Sequence, residues 1–287
     1  LLGSSTGEFD ELPVARVKLD RPFWISACEI TNRQYNLFDP GHDSRVESKN
    51  ATQYGIQGYP VNRPEQPVVR VSWLEAMAFC RWLSQESGQS FSLPTEAQWE
   101  WACRAGTADP LFFGDLDADF SPFANVADAK LAEFASDVWD NSTPLNHATR
   151  YDEWFPKDSR FNDGALLSVR PGRYRPNRWG LHDMHGNVAE WTRTTYRRYP
   201  YDTYDGRNDL SESGLKVARG GSWRDRPHRC TSSFRLAYQP YQRVFNVGFR
   251  VVLEVDMPPA SSLDTGCRVS IDREEMTAAS LSNLREE

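Results

Sequence analysis

The chain has 287 residues, enough for one large domain or two small ones with a sizeable core, and 39% of them are hydrophobic. Its net charge of −7, without any long basic run, excludes a nucleic-acid partner, because neutralising phosphates needs a concentrated Lys/Arg surface. No stretch approaches the roughly eighteen apolar residues of a membrane span, and no charged segment followed by an apolar one opens the chain as a signal peptide would.

Ten Trp, eleven Tyr and fifteen Phe predict an aromatic core, while eighteen Pro and eighteen Gly predict short elements joined by many loops. The opening Leu1-Leu-Gly-Ser-Ser reads as strand and turn, and Val14–Ile30 as strand material. Thr31 and Gln34 stand at capping-box spacing, so a helix begins there and stops at Asp39-Pro40-Gly41. Residues 40–67 are polar and rich in Gly and Pro, which predicts a long surface loop. Ser72 and Glu75 form a second capping box, behind which Ala76, Phe79, Cys80 and Leu83 share one helical stripe as far as Gly88. Thr95 and Gln98 form a third, with Trp99, Ala102 and Cys103 on one face until Gly106.

From Thr107 to Pro176 no periodicity is strong, and seventy residues of that kind inside a domain need another staple, such as bound ions or side-chain hydrogen bonds. Oxygen-rich spots at Asn125-Val126 and Asn162-Asp163-Gly164 could share an ion or form Asx turns. Trp179–Thr192 then gathers Asp183, Asn187, Glu190 and the carbonyls near Gly186. These are hard ligands suited to calcium, or else groups that satisfy the amides of a buried turn. Arg197–Gly214 is loop, Val217–Trp223 a strand running into a glycine turn, and Val247–Leu253 a closing strand. We place a domain over residues 1–256 and a linker and tail over 257–287, with a short helix near Glu274–Leu284 and the hint of a larger chain or assembly. Cys28, Cys80, Cys103, Cys230 and Cys267 lack zinc-like spacing. They read as reduced thiols, buried on helical faces at Cys80 and Cys103, and lean toward a cytoplasmic setting. Sequons begin at Asn50 and Asn141.

Four ordered stretches carry a family resemblance: Glu29-Ile-Thr-Asn-x-x-Tyr35, Leu93-Pro-Thr-Glu-Ala-Gln-Trp-Glu100, Gly180 to Trp191, and Arg219-Gly-Gly-Ser-Trp223 with Val247-Gly-Phe-Arg250. Over roughly residues 1–254 the chain resembles the sulfatase-modifying-factor family, whose founding activity is the formylglycine-generating enzyme. The resemblance implies an α+β domain of the C-type-lectin-like kind with low regular structure, often held by calcium. It implies one calcium site from the Asp183 and Glu190 side chains with the Gly186 and Val188 carbonyls. A second would use the Asn125 and Asp163 side chains with the Val126 and Ala165 carbonyls.

The family's oxidase holds copper(I) with two thiolates after Gly-Gly-Ser, soft ligands for a soft ion. Here residues 222–250 contain Cys230 alone, and Asp225 falls at the other position, so copper-dependent formylglycine synthesis is not expected. Iron is not expected either: His182, His185 and His228 do not make a facial triad, and hydrogen-bonding histidine is the default. What remains is Trp223, Arg224, Asp225, Arg226, His228, Tyr238 and Tyr241 on a Ser222–Arg243 face, aromatic and guanidinium groups suited to recognising a protein, peptide or small molecule. The expected function is a calcium-stabilised binding module, a pseudoenzyme of its family. The alternative is a copper or iron oxidoreductase acting on a thiol or peptide through Cys230, Ser222 and His228.

Overall fold

The three helices all begin where a hydroxyl side chain turns back on the chain. The computed structural model describes residues 1–48, 58–133 and 157–255. Within them α1 (Asn32–Asn36), α2 (Trp73–Ser87) and α3 (Glu96–Arg104) follow Thr31, Ser72 and Thr95, and each has a complete reciprocal capping box with Gln34, Glu75 or Gln98. Gly88 closes α2 in the left-handed conformation, whereas α3 closes on Ala105, one residue before the expected Gly106. Cys80 and Cys103 lie on the buried faces of α2 and α3, as the stripe predicts. Burial pushes both thiols up to about 12.

The strands are short. A four-stranded sheet has the order β7-β6-β5-β8, built from β5 (Ala189–Thr195), β6 (Lys216–Arg219), β7 (Arg235–Tyr238) and β8 (Val247–Gly248). A second sheet orders β1 (Phe23–Ile25), β9 (Val252–Glu254) and β4 (Phe91–Ser92) as β1-β9-β4. A hairpin pairs β2 (Val46–Ser48) with β3 (Gly58–Pro60) inside the expected loop. The expected strand over Val14–Ile30 shrinks to β1, with Ala15 bridged to Leu2, because Pro13 and Pro22 flank the intervening stretch and withhold ladder donors. The single closing strand is two strands in two sheets. Phe249 and Arg250 between them are both fully buried, which a strand with one solvent face does not permit.

Leu1–Val255 form one unit whose main core is aromatic, as the composition predicts. Tyr35 stacks on Phe79 at 5.6 Å, and Phe79 meets Phe249 edge-on at 5.4 Å. Three buried indoles find acceptors: Trp73 donates to the Thr192 carbonyl, Trp191 to the Val71 carbonyl and Trp99 to the Glu190 carboxylate. A wholly buried ionic network then ties α3 to the four-stranded sheet. Arg219 from β6 pairs with Glu96 and Glu100, and Arg235 from β7 donates to Glu96 at 2.6 Å. These are the glutamates of Leu93–Glu100 and the arginine of Arg219–Trp223, so those motifs are structural before they are anything else. The sequons, Cys267 and the predicted tail helix lie outside the described residues.

Candidate functional site

The two oxygen-rich turns that stand far apart in the sequence lie side by side. Gly186 pairs with Asn125 in a parallel bridge, the Asn187 N–H donates to the Asn125 carbonyl at 2.8 Å, and the Asn125 amide donates to Asn187 Oδ1 at 3.2 Å. Glycine is required at Gly186, where φ is 77° and a Cβ would run into the Asn125 carbonyl.

The predicted Asn125–Asp163 set lies together, with Val126 and Ala165 turning their N–H groups, not their carbonyls, to Asp163. Asp163 accepts from the Val126 N–H at 3.2 Å and the Ala165 N–H at 2.6 Å, beside the buried Asn125. Asn125 Oδ1 is buried and has no hydrogen-bond partner. Asp128, absent from the predicted set, is also fully buried and accepts from the Asp163 N–H. Burial, reinforced by Asp128, pushes the Asp163 carboxyl up to about 7. The Tyr174 hydroxyl is likewise buried without a partner, and its ionisation is opposed first by burial and next by Asp163.

The Asp183–Glu190 set departs from expectation at Glu190. Its two oxygens are taken by Arg250 at 2.7 and 2.6 Å and by the Trp99 indole at 2.7 Å, so it is one half of a buried ion pair instead of a free ligand. Asp183 behaves differently: Oδ2 accepts from the Gly172 N–H at 2.7 Å, while Oδ1 is buried and unpartnered. Burial pushes this carboxyl up to about 6. Next to it stands Glu29, which the sequence offers only as a motif residue. It is buried, receives the Asn187 amide on both oxygens at 3.1 Å, and faces the Val188 N–H at 3.4 Å. Burial, then Asp183 and Glu190, hold it well above the ordinary carboxylate range. Among the described residues no three His, Cys, Asp or Glu side chains group to hold a metal, so any cation here relies on two carboxylates plus amide and carbonyl oxygens.

The Ser222–Arg243 stretch does not form one recognition face. Trp223 is 2% exposed and packs with Val69, Leu131, Leu167 and Val188, and its backbone N–H donates to the Asn187 carbonyl. Tyr238 stands edge-on to Trp191 from β7, and Arg243 pairs with Glu75 on α2. Arg224 lies over the Trp223 ring at 5.7 Å, and Tyr241 is 68% exposed. Arg226 and His228, with Lys157, Asp158 and Arg160, line an open groove of about 390 Å3. Burial, then Arg226 and Arg229, lower the His228 pKa.

The Cys230 thiol lies 3.8 Å from the backbone carbonyl of Asp225. Asp225 accepts from the Ser222 hydroxyl at 2.7 Å, and that hydroxyl accepts from the Asn246 amide at 2.7 Å. Cys230 is fully buried, and burial followed by the Asp225 charge raises its thiol well above the ordinary range. His185 is fully buried too. Its Nδ1 bonds the Cys230 carbonyl at 2.6 Å and its Nε2 meets the Phe112 N–H at 3.2 Å, which fixes a neutral ring with the proton on Nδ1. His182 bonds the Tyr174 carbonyl at 2.8 Å. Both rings are spent on structure.

A family model described as a sulfatase-modifying factor enzyme 1-like domain matches residues 2–255. An inactive C-alpha-formylglycine-generating enzyme 2 of Bos taurus is 29% identical over 202 residues, covering 68% of this chain and 52% of that protein. The chain thus spans about half the length of that relative. A formylglycine-generating enzyme of Streptomyces coelicolor is 30% identical over 300 residues, covering 88% of this chain and 85% of its own. Among solved structures, PvdO from Pseudomonas aeruginosa aligns with a TM-score of 0.66 at 26% identity, covering 88% of this chain and 90% of that one. Treponema denticola variable protein 1 aligns at 0.63 and 22% identity, covering 88% and 91%, a likeness of fold alone.

Proposed function

The chain belongs to the sulfatase-modifying factor enzyme 1-like family, and we propose that within it this protein is a calcium-stapled binding module without the copper oxidase chemistry. The observation that carries the reading is the pair Asp225 and Cys230. A copper(I) site of the family's kind needs two thiolates. Here one position holds a carboxylate engaged by Ser222, and the other holds a buried thiol kept protonated by its surroundings. These residues do not fit copper(I).

Calcium fits better. Asn125 Oδ1 and Asp183 Oδ1 are buried acceptors without donors, and an unsatisfied buried oxygen costs on the order of 1–3 kcal/mol. Asn125 and Asp163 would hold one ion and Asp183 another, completed by carbonyl oxygens and water. The ions would neutralise buried carboxylates and staple loops that lack a ladder of their own. Recognition then falls to the open groove at Arg226 and His228, where Arg226 is exposed and His228 partly so.

The test loads the purified protein with copper(I) under reducing conditions, challenges it with a copper(I) chelator and offers a cysteine-containing peptide. We expect no retained copper and no peptide oxidation. One copper per chain, lost in Cys230→Ser together with peptide oxidation, would overturn the proposal.

A further inference from the structure

Two neighbouring tryptophans stay at the surface and are held still by a buried side chain. Trp101 on α3 and Trp179 are 51% and 43% exposed, and their ring centres lie 4.3 Å apart. Phe23 of β1 meets Trp101 edge-on at 5.8 Å. Asn177, itself buried, fixes the pair. Its NH2 donates to the Ala102 and Cys103 carbonyls of α3 at 2.8 and 3.3 Å, and its Oδ1 accepts the Trp179 N–H at 3.0 Å. Exposed rings that are already rigid lose little freedom when a ligand covers them. Trp24, also exposed, has no ring beside it among the described residues.

Trp101 lines a cleft of about 590 Å3 together with Ser5, Thr6, Thr107 and Asp109, with Leu1 and Val14 as its apolar part. The Ser5 and Thr6 hydroxyls and the Asp109 carboxylate have no partner among the described residues. Arg104 lines the cleft too, but its guanidinium is spent on Glu100 and on the Gly3, Ala108 and Asp109 carbonyls. At the rim Arg178 Nη1 comes within 3.7 Å of where a Gly106 Cβ would stand. One guanidinium and one carboxylate, Arg178 and Asp109, therefore leave the cleft balanced in charge.

We infer that this cleft binds a neutral sugar, a pyranose ring resting on Trp101 with its hydroxyls bonded by Asp109, Ser5 and Thr6. A sugar ring has a face of C–H groups, which suits the negative face of an indole, and a rim of hydroxyls that both donate and accept. An anionic ligand would meet Asp109 with Arg104 already neutralised. A proline-rich peptide would cover the rings but has too few donors for the hydroxyl-lined side. The cleft shares no lining residue with the Arg226–His228 groove, so this site is additional to the recognition proposed above.

The full chain, probed on a microarray of neutral glycans, should be retained by hexose oligosaccharides. Titration with the best-retained oligosaccharide should then show binding roughly tenfold weaker in Trp101→Ala, weakened also in Asp109→Asn, and unchanged in Trp24→Ala. No retention on any neutral glycan, or equal affinity in Trp101→Ala, would overturn the site. So would capture of a proline-rich peptide that Trp101→Ala abolishes and no sugar displaces. Should Trp101→Ala fail to fold, the unaltered chain decides by nuclear magnetic resonance. The Trp101 and Trp179 indole N–H signals should move with added oligosaccharide while that of Trp24 stays, and movement elsewhere alone would contradict the assignment. Copper binding, which tests the proposed function, is read separately from either result.

Discussion

Glu96→Gln tests whether the family motifs act as a buried ionic network. In the native chain Glu96 accepts from Arg219 at 3.2 Å and from Arg235 at 2.6 and 3.1 Å, and all three side chains are fully buried. Glutamine keeps the shape but removes the charge and turns an NH2 group toward guanidinium donors, leaving about one positive charge uncompensated. Breaking one partner of such a group costs about 3–5 kcal/mol. At roughly 2–4 °C per kcal/mol for a domain of this size, the melting temperature should fall by about 6–20 °C. The sign with pH follows from the carboxyl. Burial opposes its charge, but Arg235 and Arg219 outweigh burial and hold its pKa below the usual value. Its stabilisation is therefore fully present above the unfolded value of about 4.3 and is lost as pH falls through the folded one. The gap between native and variant melting curves should be widest near neutrality and shrink under acid. Circular dichroism melts at pH 7 and over a series descending below pH 4 measure both. A fall under about 3 °C at pH 7, or a gap that does not narrow under acid, would refute the reasoning.

Three further outcomes are expected. Gly221→Ala should destabilise by more than about 2 kcal/mol, since φ there is 66° and a Cβ would lie 2.5 Å from Cys230 Sγ and 2.6 Å from the Arg229 carbonyl; denaturant melts check it. Cys230 in the folded chain should react with iodoacetamide far more slowly than a free thiol, because it is buried and its thiolate disfavoured, and peptide mapping of labelled protein reads this directly. Asp225→Cys should create copper(I) affinity that the native chain lacks, since it puts a second thiol in the same segment as Cys230, with a copper(I) chelator titration as the readout.

Much of the helical scaffold was legible because caps are local. Thr31, Ser72 and Thr95 each meet a partner three residues away, and the chain needs no distant contact to honour them. Strands depend on partners elsewhere, which is why Val14–Ile30 gave only three strand residues and why Val247–Leu253 split between two sheets. The oxygen-rich turns were half legible. Asn125, Asp163 and Asp183 are acidic or amide residues in turn-rich stretches. The fate of Glu190 depends on Arg250, sixty residues on, and the importance of Glu29 on a contact 158 residues away. Trp223 misled for the same reason: an aromatic beside arginines reads as a recognition surface until Val69, Leu131, Leu167 and Val188 pack around it.

We propose a fold stapled by calcium and lacking a two-thiolate copper(I) site. Metal analysis of the native protein, paired with melting curves before and after chelation, tests it most directly. The account predicts about two calcium ions per chain, no copper after copper(I) loading, and a melting temperature several degrees lower once calcium is stripped, restored on its return. Calcium absent and chelation without effect, with copper retained, would contradict it.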